Sequence, residues 1–333
     1  MKDVAEAAGV SPMTVSRAFK RDASVSAETR EKILKAADEL GYVFDATASN
    51  LRSQRTGFVA AIIPSINNAN FADTVRALSA CLSEHDLQIL LGYTDYQIEE
   101  EERLISQMLR RRPEAIVLTG GKHTERARDL LSNAGIPVIE TWDLPERPIG
   151  HVVGFSNAAA MKDMVDRLVA DGYRRIGFIG GDDKGDTRGA DRRRGVVSAL
   201  GAHGLDTTRL IAAGAPPISM REGARAMARM LEHYPDTEVV ICVSDLSAYG
   251  ALTECQRRGL RVPDDIAIVG FGNYEISDVS VPTISTIDAC SAEIGRVTAE
   301  LIAELVDGAK PAGKARVIPV HPKLLLRESS ARR

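Results

Sequence analysis

The hydrophobic pattern of the chain changes near residue 57. Beyond that point short apolar runs rich in Val and Ile alternate with longer amphipathic stretches, which is typical of parallel strands connected by helices. The predicted strands are 58–63, 87–92, 115–119, 137–141, 151–155, 175–180, 238–243, 265–271 and 284–288. The predicted helices are 71–85, 97–111, 125–134, 157–171, 190–203, 219–233, 246–258 and 291–307. The length of this segment favours an α/β core of two parallel-sheet subdomains over a single sheet.

The first residues show a helical pattern that a glycine interrupts. Residues 3–8 predict a short helix, and Gly9 supplies a turn in which two helices can cross closely. Ser11 is a favourable N-cap for a second helix, 12–19, which buries Val15. A third helix begins after a capping serine at position 26 and runs to position 40, with its apolar residues, the last of them Leu40, turned inward. The pattern predicts an all-α helix-turn-helix domain.

The second helix presents small polar and basic side chains to the outside, as a helix that enters a DNA major groove does. Arg17 can donate two hydrogen bonds to a guanine edge, and Pro12 and Met13 offer apolar contact to a thymine methyl. Hydroxyl groups nearby can bind phosphates, which fixes the register without reading the sequence. The predicted DNA-contacting residues of this domain are Ser11, Pro12, Met13, Thr14, Ser16, Arg17, Lys20 and Thr29. The alternative is a generic three-helix packing module in which Arg17 is simply solvated.

The charge distribution gives only weak support to DNA binding. The whole chain carries a net charge of -4, which argues against a protein that binds nucleic acid over its whole surface. Residues 1–57 hold nine Lys or Arg against eight Asp or Glu, so that this segment is +1 and the remainder -5. Affinity must therefore depend on where the cations lie and on dimerisation, which doubles the contacts.

Residues 44–57 have little of their own to bury. Their apolar residues Ala46, Ala48 and Leu51 make at most one small stripe, and an isolated helix of this length is marginal in water. We expect the segment to be disordered in the free protein and helical only when it pairs with its copy in a dimer on DNA. Anything that moves the two cores apart would then weaken operator binding.

The loops that follow the predicted strands are the candidate ligand site, because ligands of parallel sheets bind beyond the carboxyl ends of the strands. These loops are polar and mostly uncharged or basic, which suits a small polyol or sugar that carries a negative group. Arg192 is the candidate for that group, since a guanidinium pairs a carboxylate bidentately. The alternative is that Arg192 belongs to a solvated run of arginines and that Lys122 and His123 are ordinary loop surface.

Several runs of residues, taken in order, resemble the lactose-repressor (LacI/GalR) family of transcription regulators. They are DVAEAAGVSPMTVSRAF, VS-x-ETR, LGY and L-R-S-x-R-T-G. The resemblance implies that Pro12, Met13 and Arg17 read bases and that residues 45–54 form a hinge helix whose Leu51 wedges into the minor groove. Members carry a Thr just before the first helix, and this chain has none. Either the first helix is capped differently or the chain lacks a few native residues.

The resemblance also implies a domain organisation and partners. It divides the chain into a DNA-binding domain, 1–43, a hinge, 44–57, and an effector-binding and dimerisation core, 58–333, of the periplasmic-binding-protein-like type. The implied partners are a second copy of the chain, as a homodimer, and double-stranded operator DNA of pseudo-palindromic sequence. No leucine-heptad tail follows the last apolar run, so a tetramer through a coiled coil is not expected.

Within the core, the resemblance places Arg192 as the sugar-contacting arginine and Phe71 as an aromatic lining residue. Stretches such as AGIPVIETWD and ECQRRGLRVPDDIAIVGF are similar to the gluconate-repressor branch, which implies gluconate or a related aldonic or keto-aldonic acid. Two positions depart from the family: Ser244 replaces an Asn, and Gly272 replaces an Asp that accepts from sugar hydroxyls. The loss of a carboxylate lowers the repulsion that an anionic ligand meets. The predicted effector-binding residues are Asn70, Phe71, Lys122, His123, Arg192, Ser244, Asp245 and Asn273.

Enzymes and transport receptors are the alternative classes of function. The glycine pairs at 120–121 and 180–181 lack the spacing of a dinucleotide loop, and no catalytic triad or zinc motif is present. No catalytic residue, metal or cofactor is therefore expected, and four widely spaced cysteines predict thiols in a reducing compartment. Without a signal peptide or an apolar run of membrane-spanning length, the sequence predicts a cytoplasmic protein with no membrane partner. The resemblance implies a repressor of sugar-acid catabolism genes. A neutral or phosphorylated sugar as effector, and the direction of its effect, stay open.

Overall fold

The chain divides into two units, Met1–Thr56 and Gly57–Arg333, and the described residues of the first form three helices. They are α1 (Lys2–Ala8), α2 (Pro12–Ala18) and α3 (Ala27–Glu39). The computed structural model describes residues 1–19, 25–43, 56–182, 185–307 and 314–331. The predicted arrangement of a short helix, a turn and two further helices is therefore confirmed for this unit.

Local sequence fixes where these helices begin and end. α1 ends at Gly9, whose φ of 67° lies in the left-handed region that glycine adopts without strain. Ser11 caps α2, because its Oγ accepts a hydrogen bond from the backbone N–H of Thr14 at 3.1 Å. Ser26 caps α3 in the same way, through the N–H of Thr29 at 3.2 Å.

A small apolar core holds the three helices together. Val4, Val15 and Ile33, one from each helix, are fully buried at its centre. The prediction that Leu40 turns inward is wrong, since its side chain is 52% exposed. The reason is that α3 ends at Glu39, so Leu40 falls beyond the last helical residue and leaves the buried face. The partly buried rings of Phe19 and Tyr42 pack against the core instead.

The second unit consists of two lobes, and the first contains a six-stranded sheet. Its elements are β1 (Phe58–Ile63), α4 (Ala69–Ser83), β2 (Gln88–Tyr93), α5 (Ile98–Leu109), β3 (Ala115–Thr119), α6 (Glu125–Ser132), β4 (Val138–Thr141) and β5 (His151–Gly154). The order across the sheet is β11-β5-β4-β3-β1-β2, where β11 comes from the end of the chain, and every pair is parallel. Helices on both faces explain why the central strands read as continuous apolar runs.

The other lobe repeats the architecture with a smaller sheet. Its elements are α7 (Asn157–Ala170), β6 (Ile176–Ile179), α8 (Thr187–Ala202), β7 (Leu210–Ile211), α9 (Met220–His233), β8 (Val239–Cys242), α10 (Asp245–Arg257), β9 (Ala267–Val269), α11 (Glu275–Val279) and β10 (Thr286–Asp288). The strand order is β7-β6-β8-β9, again parallel throughout. The predicted fold class, a helical domain followed by an α/β core of two parallel-sheet subdomains, is confirmed.

The end of the chain crosses between the lobes. α12 (Ser291–Asp307) returns to the first lobe and packs on α4, where Gly295 lets the helices approach until an added Cβ would lie 2.3 Å from the carbonyl of Thr74. β11 (Val317–Pro319) then joins the first sheet, and β12 (Lys323–Leu325) pairs antiparallel with β10. Strands β7, β11 and β12 were not predicted, because two or three residues carry no readable alternation. The domain boundaries 1–43, 44–57 and 58–333 stay predictions.

Over the parts of the chain that the structure describes, no helix is both long and apolar enough to cross a membrane.

Helices α9 and α10 cross so closely that glycine is required, which gives a test of the packing. A Cβ on Gly250 would lie 1.9 Å from the carbonyl oxygen of Met220. We expect Gly250→Ala to lower the free energy of unfolding by about 1–3 kcal/mol, because the helices must separate. Urea denaturation measures this change.

Gly201→Ala is the matched control in α8, since the nearest atom to its added Cβ, Cγ2 of Thr207, is 4.0 Å away. This variant should keep or raise the stability by about 0.4–1 kcal/mol, as the unfolded chain loses entropy. Equal stability of the two variants would contradict the assigned crossing.

Candidate DNA-binding surface and interlobe cleft

A cleft lies between the two lobes of the core and encloses about 550 Å³ of empty space, its open mouth included. The first lobe contributes residues that follow β1, β2 and β4, and the second contributes residues that follow β6, β7, β8 and β9. The cleft therefore lies beyond the carboxyl ends of both parallel sheets, where the sequence predicted a ligand site.

Arg192 projects into this cleft from α8. A Cβ added to Gly195 would lie 2.4 Å from the carbonyl oxygen of Ala158, so α8 packs tightly on α7 and brings Arg192, one turn earlier, beside Asn157. Nε of Arg192 donates to Oδ1 of Asn157 at 2.9 Å, and Nη1 donates to the carbonyl oxygen of Val243 at 3.0 Å. These two hydrogen bonds fix the plane of the guanidinium.

The guanidinium of Arg192 also lies over an aromatic ring, with its central carbon 3.6 Å from the ring centroid of Phe271. Burial lowers the pKa of Arg192 to about 10, so the side chain remains a cation at neutral pH. Its Nη2 has no hydrogen-bond partner among the described residues. Arg192 is thus a fixed cation with unused donors that face the cleft.

A second arginine, Arg188, lies one turn before Arg192 on α8 and also lines the cleft. It is 5% exposed, and its Nη1 donates to the carbonyl oxygen of Thr119 at 3.2 Å, a bond that joins the two lobes. Its guanidinium carbon lies 5.4 Å from the ring centroid of Phe71. Asp186 lines the same cleft, so its carboxylate offsets one of the two cationic charges.

Four aromatic rings connect the two arginines. Phe71 meets Trp142 edge to face at 5.3 Å between centroids, Trp142 meets Phe155 at 5.9 Å, and Phe155 meets Phe271 at 6.3 Å. The row begins in the first lobe and ends in the second. It gives the cleft an apolar floor with one cation at each end, which strengthens the field that a ligand meets.

Gly272, one of the two departures from the family, has a structural explanation. A Cβ at this position would lie 2.5 Å from Cε1 of Tyr274 and 2.7 Å from Nδ2 of Asn70, so no aspartate fits there. The hydroxyl of Tyr274 donates to Oδ1 of Asn68 at 2.8 Å across the cleft, and burial raises its pKa. Tyr274 and Asp186 were not among the predicted site residues; the missing aspartate was the signal that another side chain fills this space.

The structure brings four of the predicted effector-binding residues together. Asn70, Phe71, Arg192 and Ser244 all line the cleft. Ser244 also caps α10 by accepting a hydrogen bond from the N–H of Ser247 at 3.3 Å. The predicted set therefore holds a cation, an aromatic ring, an amide and a hydroxyl that can face one ligand.

Two further predicted residues, Asp245 and Asn273, lie behind the cleft instead of lining it. Asp245 is fully buried, accepts hydrogen bonds from the hydroxyl of Thr286 and the N–H of Tyr274, both at 2.7 Å, and has a pKa that burial raises to about 6. Asn273 accepts a hydrogen bond from Arg327 at 2.9 Å. Their hydrogen bonds hold the loop that carries Tyr274.

His123 is buried between two carboxylates, whereas Lys122 is exposed beside an adjoining part of the cleft. Nδ1 of His123 lies 2.6 Å from Oε1 of Glu101, and Nε2 lies 3.4 Å from Oε1 of Glu140. Burial lowers the pKa of His123, but the two carboxylates outweigh it and raise the pKa to about 9. Among the described residues, neither this cluster nor any other group of three or more His, Cys, Asp or Glu side chains could hold a metal ion.

In the helical unit, the residues predicted to read bases lie on one open face. Met13 is 58% exposed, Pro12 and Arg17 are exposed, and Val15 is buried beneath them. Within the described part of the unit Arg17 forms no hydrogen bond or ion pair, so its guanidinium is available.

The predicted phosphate contacts are arranged in capping pairs around that face. The hydroxyls of Ser11 and Thr14 lie 2.9 Å apart and those of Ser26 and Thr29 2.8 Å apart, while Ser16 is half-buried. Lys20 and Leu51, with most of the predicted hinge, lie outside the described residues.

A helix-turn-helix unit on the same chain as a two-lobed binding core defines a DNA-binding transcriptional regulator that responds to a small molecule. Residues 1–45 match the family of bacterial regulatory proteins of the lacI type, and residues 165–330 match the periplasmic binding protein-like domain. The chain belongs to the lacI family, and the resemblance predicted from the sequence is confirmed.

Named relatives cover nearly the whole chain. The HTH-type transcriptional regulator GntR of Pseudomonas aeruginosa is 36% identical over 99% of this chain and 95% of its own length. IdnR of Escherichia coli, also an HTH-type transcriptional regulator, is 32% identical over 91% and 90%. The crystal structure of a LacI-family regulator from Silicibacter pomeroyi has a TM-score of 0.90 at 36% identity and covers 99% of both chains. The lac repressor dimer bound to operator, at 22% identity and a TM-score of 0.83, shows the same fold.

The buried cluster around His123 predicts a pH-dependent contribution to stability. Because its pKa is raised from 6.5 to about 9 on folding, the contribution is complete below pH 6.5 and is lost as the pH rises through about 9. We expect the stability advantage of the wild type over His123→Gln to fall between pH 6.5 and pH 10 by on the order of 1–3 kcal/mol. Urea denaturation at both pH values measures it, and an advantage that stays constant would contradict the charged cluster.

Proposed function

We propose that this regulator is a cytoplasmic, homodimeric repressor of sugar-acid catabolism genes. Gluconate or a related aldonate or keto-aldonate binds the interlobe cleft and releases the protein from a pseudo-palindromic operator. The observation that carries the proposal is the guanidinium of Arg192, a fixed cation in the cleft with donors that no group of the described residues uses.

The geometry of Arg192 supports a carboxylate as the group it binds. Nε is occupied by Asn157 and one N–H of Nη1 by Val243. The other N–H of Nη1 and both of Nη2 remain, and the Nη1–Nη2 edge of a guanidinium can pair a carboxylate with two hydrogen bonds. Asp186 is the one carboxylate among the residues described as lining this cleft and faces two arginines, so a neutral sugar would leave an excess of positive charge and an acid is favoured.

The remaining charges support a ligand with one negative group. Asp186 lines the cleft and would repel a second anion, while Arg188 already donates to Thr119 and lies over Phe71. The amide of Asn70, which is buried and has no hydrogen-bond partner in the described parts of the chain, and the hydroxyl of Ser244 can bind hydroxyls. A carboxylate followed by a row of hydroxyls, as in an aldonate, matches this set better than a phosphorylated sugar acid.

For the DNA-binding unit, we propose that Pro12, Met13 and Arg17 contact base edges while the hydroxyls around them bind phosphates. Leu51 is proposed to wedge into the minor groove, and Lys20 to add a phosphate contact. Ligand binding closes the cleft and shifts the first lobes of the two protomers relative to each other. This shift unpairs the two hinges. Ligand and operator then oppose each other with one coupling free energy, typically about 1–3 kcal/mol.

Release of operator DNA by gluconate is the direct test. A duplex selected from a random pool by the purified chain should be bound in a gel-mobility assay and released when gluconate is added. In Arg192→Ala, release should be lost while operator affinity stays within about twofold. Asn157→Asp should weaken gluconate binding at least about tenfold, because a carboxylate placed at Nε neutralises the arginine.

The results distinguish a wrong binding site from a wrong effector. If gluconate releases the Arg192→Ala protein as well as the wild type, the cleft assignment is wrong. If the wild type binds the duplex and no sugar acid releases it, the proposed effector is wrong. The assignment of the chain as a DNA-binding regulator still holds.

Arg17 provides a separate test of the DNA-binding face. We expect Arg17→Ala to lower the ratio of specific to nonspecific affinity by about 1–3 kcal/mol, the discrimination that one bidentate base contact provides. Lys35→Ala is the control, since Lys35 lies on α3 and pairs with Glu39 at 4.0 Å. Titration of selected and scrambled duplexes gives both ratios, and an unchanged ratio in Arg17→Ala would exclude this residue as a base reader.

A further inference from the structure

A second compartment opens between the same two lobes, next to the cleft around Arg192. It encloses about 980 Å³ of empty space, its opening included. The first lobe contributes residues after β2 and β3, and the second contributes the start of α8. Tyr96 and Arg188 line both compartments, so the two are adjoining parts of one interlobe cleft.

Two buried side chains face this compartment with unused polar atoms. Thr94 is 6% exposed, and its hydroxyl has no hydrogen-bond partner among the residues described. Glu101 is 8% exposed; its Oε1 binds His123, and its Oε2 has no partner among the same residues. Neither atom is among the buried, unpartnered side-chain atoms of the described residues, so both are accessible from the compartment. The hydroxyl groups of a ligand can therefore reach them and supply the hydrogen bonds.

The carboxylate of Glu101 is held in one orientation from behind. His123 lies between Glu101 and Glu140, at 2.6 Å and 3.4 Å. Glu140 is in turn fixed by the backbone N–H of Ile149, which donates to its Oε2 at 2.7 Å. An acceptor whose neighbours restrict it binds a ligand at a smaller entropic cost than a mobile surface side chain does.

The charges of the compartment indicate which ligand group fits. Glu99 and Glu101 provide two carboxylates, and Lys122 and Arg188 provide two cations. A phosphate would meet the carboxylates and an ammonium group would meet the cations, whereas a hydroxyl both donates and accepts and suits either kind of neighbour. The ring of Tyr96 adds an apolar surface. The lining therefore matches a neutral group rich in hydroxyls.

We propose that this second compartment binds a neutral, hydroxyl-rich sugar unit beside the acid group held at Arg192. The proposal rests on the proposed function, which it narrows: the effector is an aldonate extended by a second sugar unit, or an aldonate that binds together with a separate sugar molecule. Thr94 and Glu101 recognise the hydroxyls of that unit.

Isothermal titration calorimetry on the full chain tests the proposal with defined probes. These are gluconate, the glycosyl-gluconates cellobionate, maltobionate and lactobionate, and glucose added to the gluconate-saturated chain. We expect at least one glycosyl-gluconate to bind about tenfold or more tighter than gluconate. Binding of glucose only after gluconate would instead identify the unit as a separate molecule, and it supports the compartment equally.

Two variants test whether the tighter binding of a glycosyl-gluconate comes from the second compartment. Thr94→Val and Glu101→Gln should each abolish the gain and leave the Kd of gluconate within about twofold. Glu102→Gln is the matched control, since it makes the same change one residue further along α5, outside the compartment, where Glu102 accepts from Thr124 at 2.6 Å. This control should retain the gain.

The outcomes distinguish this proposal from the one on which it rests. Gluconate binding without any gain from the three glycosyl-gluconates or from glucose overturns the compartment and leaves the aldonate effector standing. A gain that both compartment variants retain also overturns it. If gluconate and all three extended acids fail to bind, both proposals fall.

Discussion

A desolvated cation, Arg192, organises the interlobe cleft of this protein. Arg192 has lost most of its water, and a buried charge is tolerated only when its surroundings compensate for it. Asn157, Val243 and the face of Phe271 provide part of that compensation, but none of them carries a negative charge. Asp186 supplies a carboxylate, but Arg188 lies in the same cleft and shares it. The cleft therefore keeps an excess of positive charge, which the proposed carboxylate ligand would reduce.

The partners of Arg192 connect this deficit to the crossing between the lobes. Nδ2 of Asn157 donates to the carbonyl oxygen of Trp142 at 3.1 Å, and Nε1 of Trp142 donates to the hydroxyl of Thr74 at 3.2 Å. That hydroxyl also lies 3.0 Å from the carbonyl oxygen of Ser291, where α12 begins and the chain returns to the first lobe. A contiguous series of hydrogen bonds therefore runs from Arg192 to the segment in which the chain returns to the first lobe. Ligand and lobe geometry share these contacts, which is the structural condition for coupling between them.

The sequence was sufficient for the architecture and for part of the site. Alternating strands and helices predicted both sheets, since long buried strands carry a strong apolar signal, whereas β7, β11 and β12 are too short to carry one. Arg192 was found from chemistry and resemblance together, because a guanidinium can pair a carboxylate and the resemblance places it as the sugar-contacting arginine. The environment of His123 could not be predicted, because its carboxylate partners lie far away in the sequence. They come from α5 and β4, 22 residues before it and 17 residues after it. No local pattern distinguishes a buried loop histidine from an exposed one.

The helical unit by itself is expected to bind DNA weakly, and the core is large enough to join two copies of it. The helical unit has a small core, and the segment that contains it carries a net charge of only +1, so electrostatic attraction to a duplex is weak for one copy. Specific binding then depends on joining two copies at a fixed spacing, and the core is the part of the chain large enough to do so. A DNA-binding unit that held tightly by itself would escape control from the cleft. Under the proposed function, weak binding by one unit is what allows a carboxylate at Arg192 to control whether the pair remains bound.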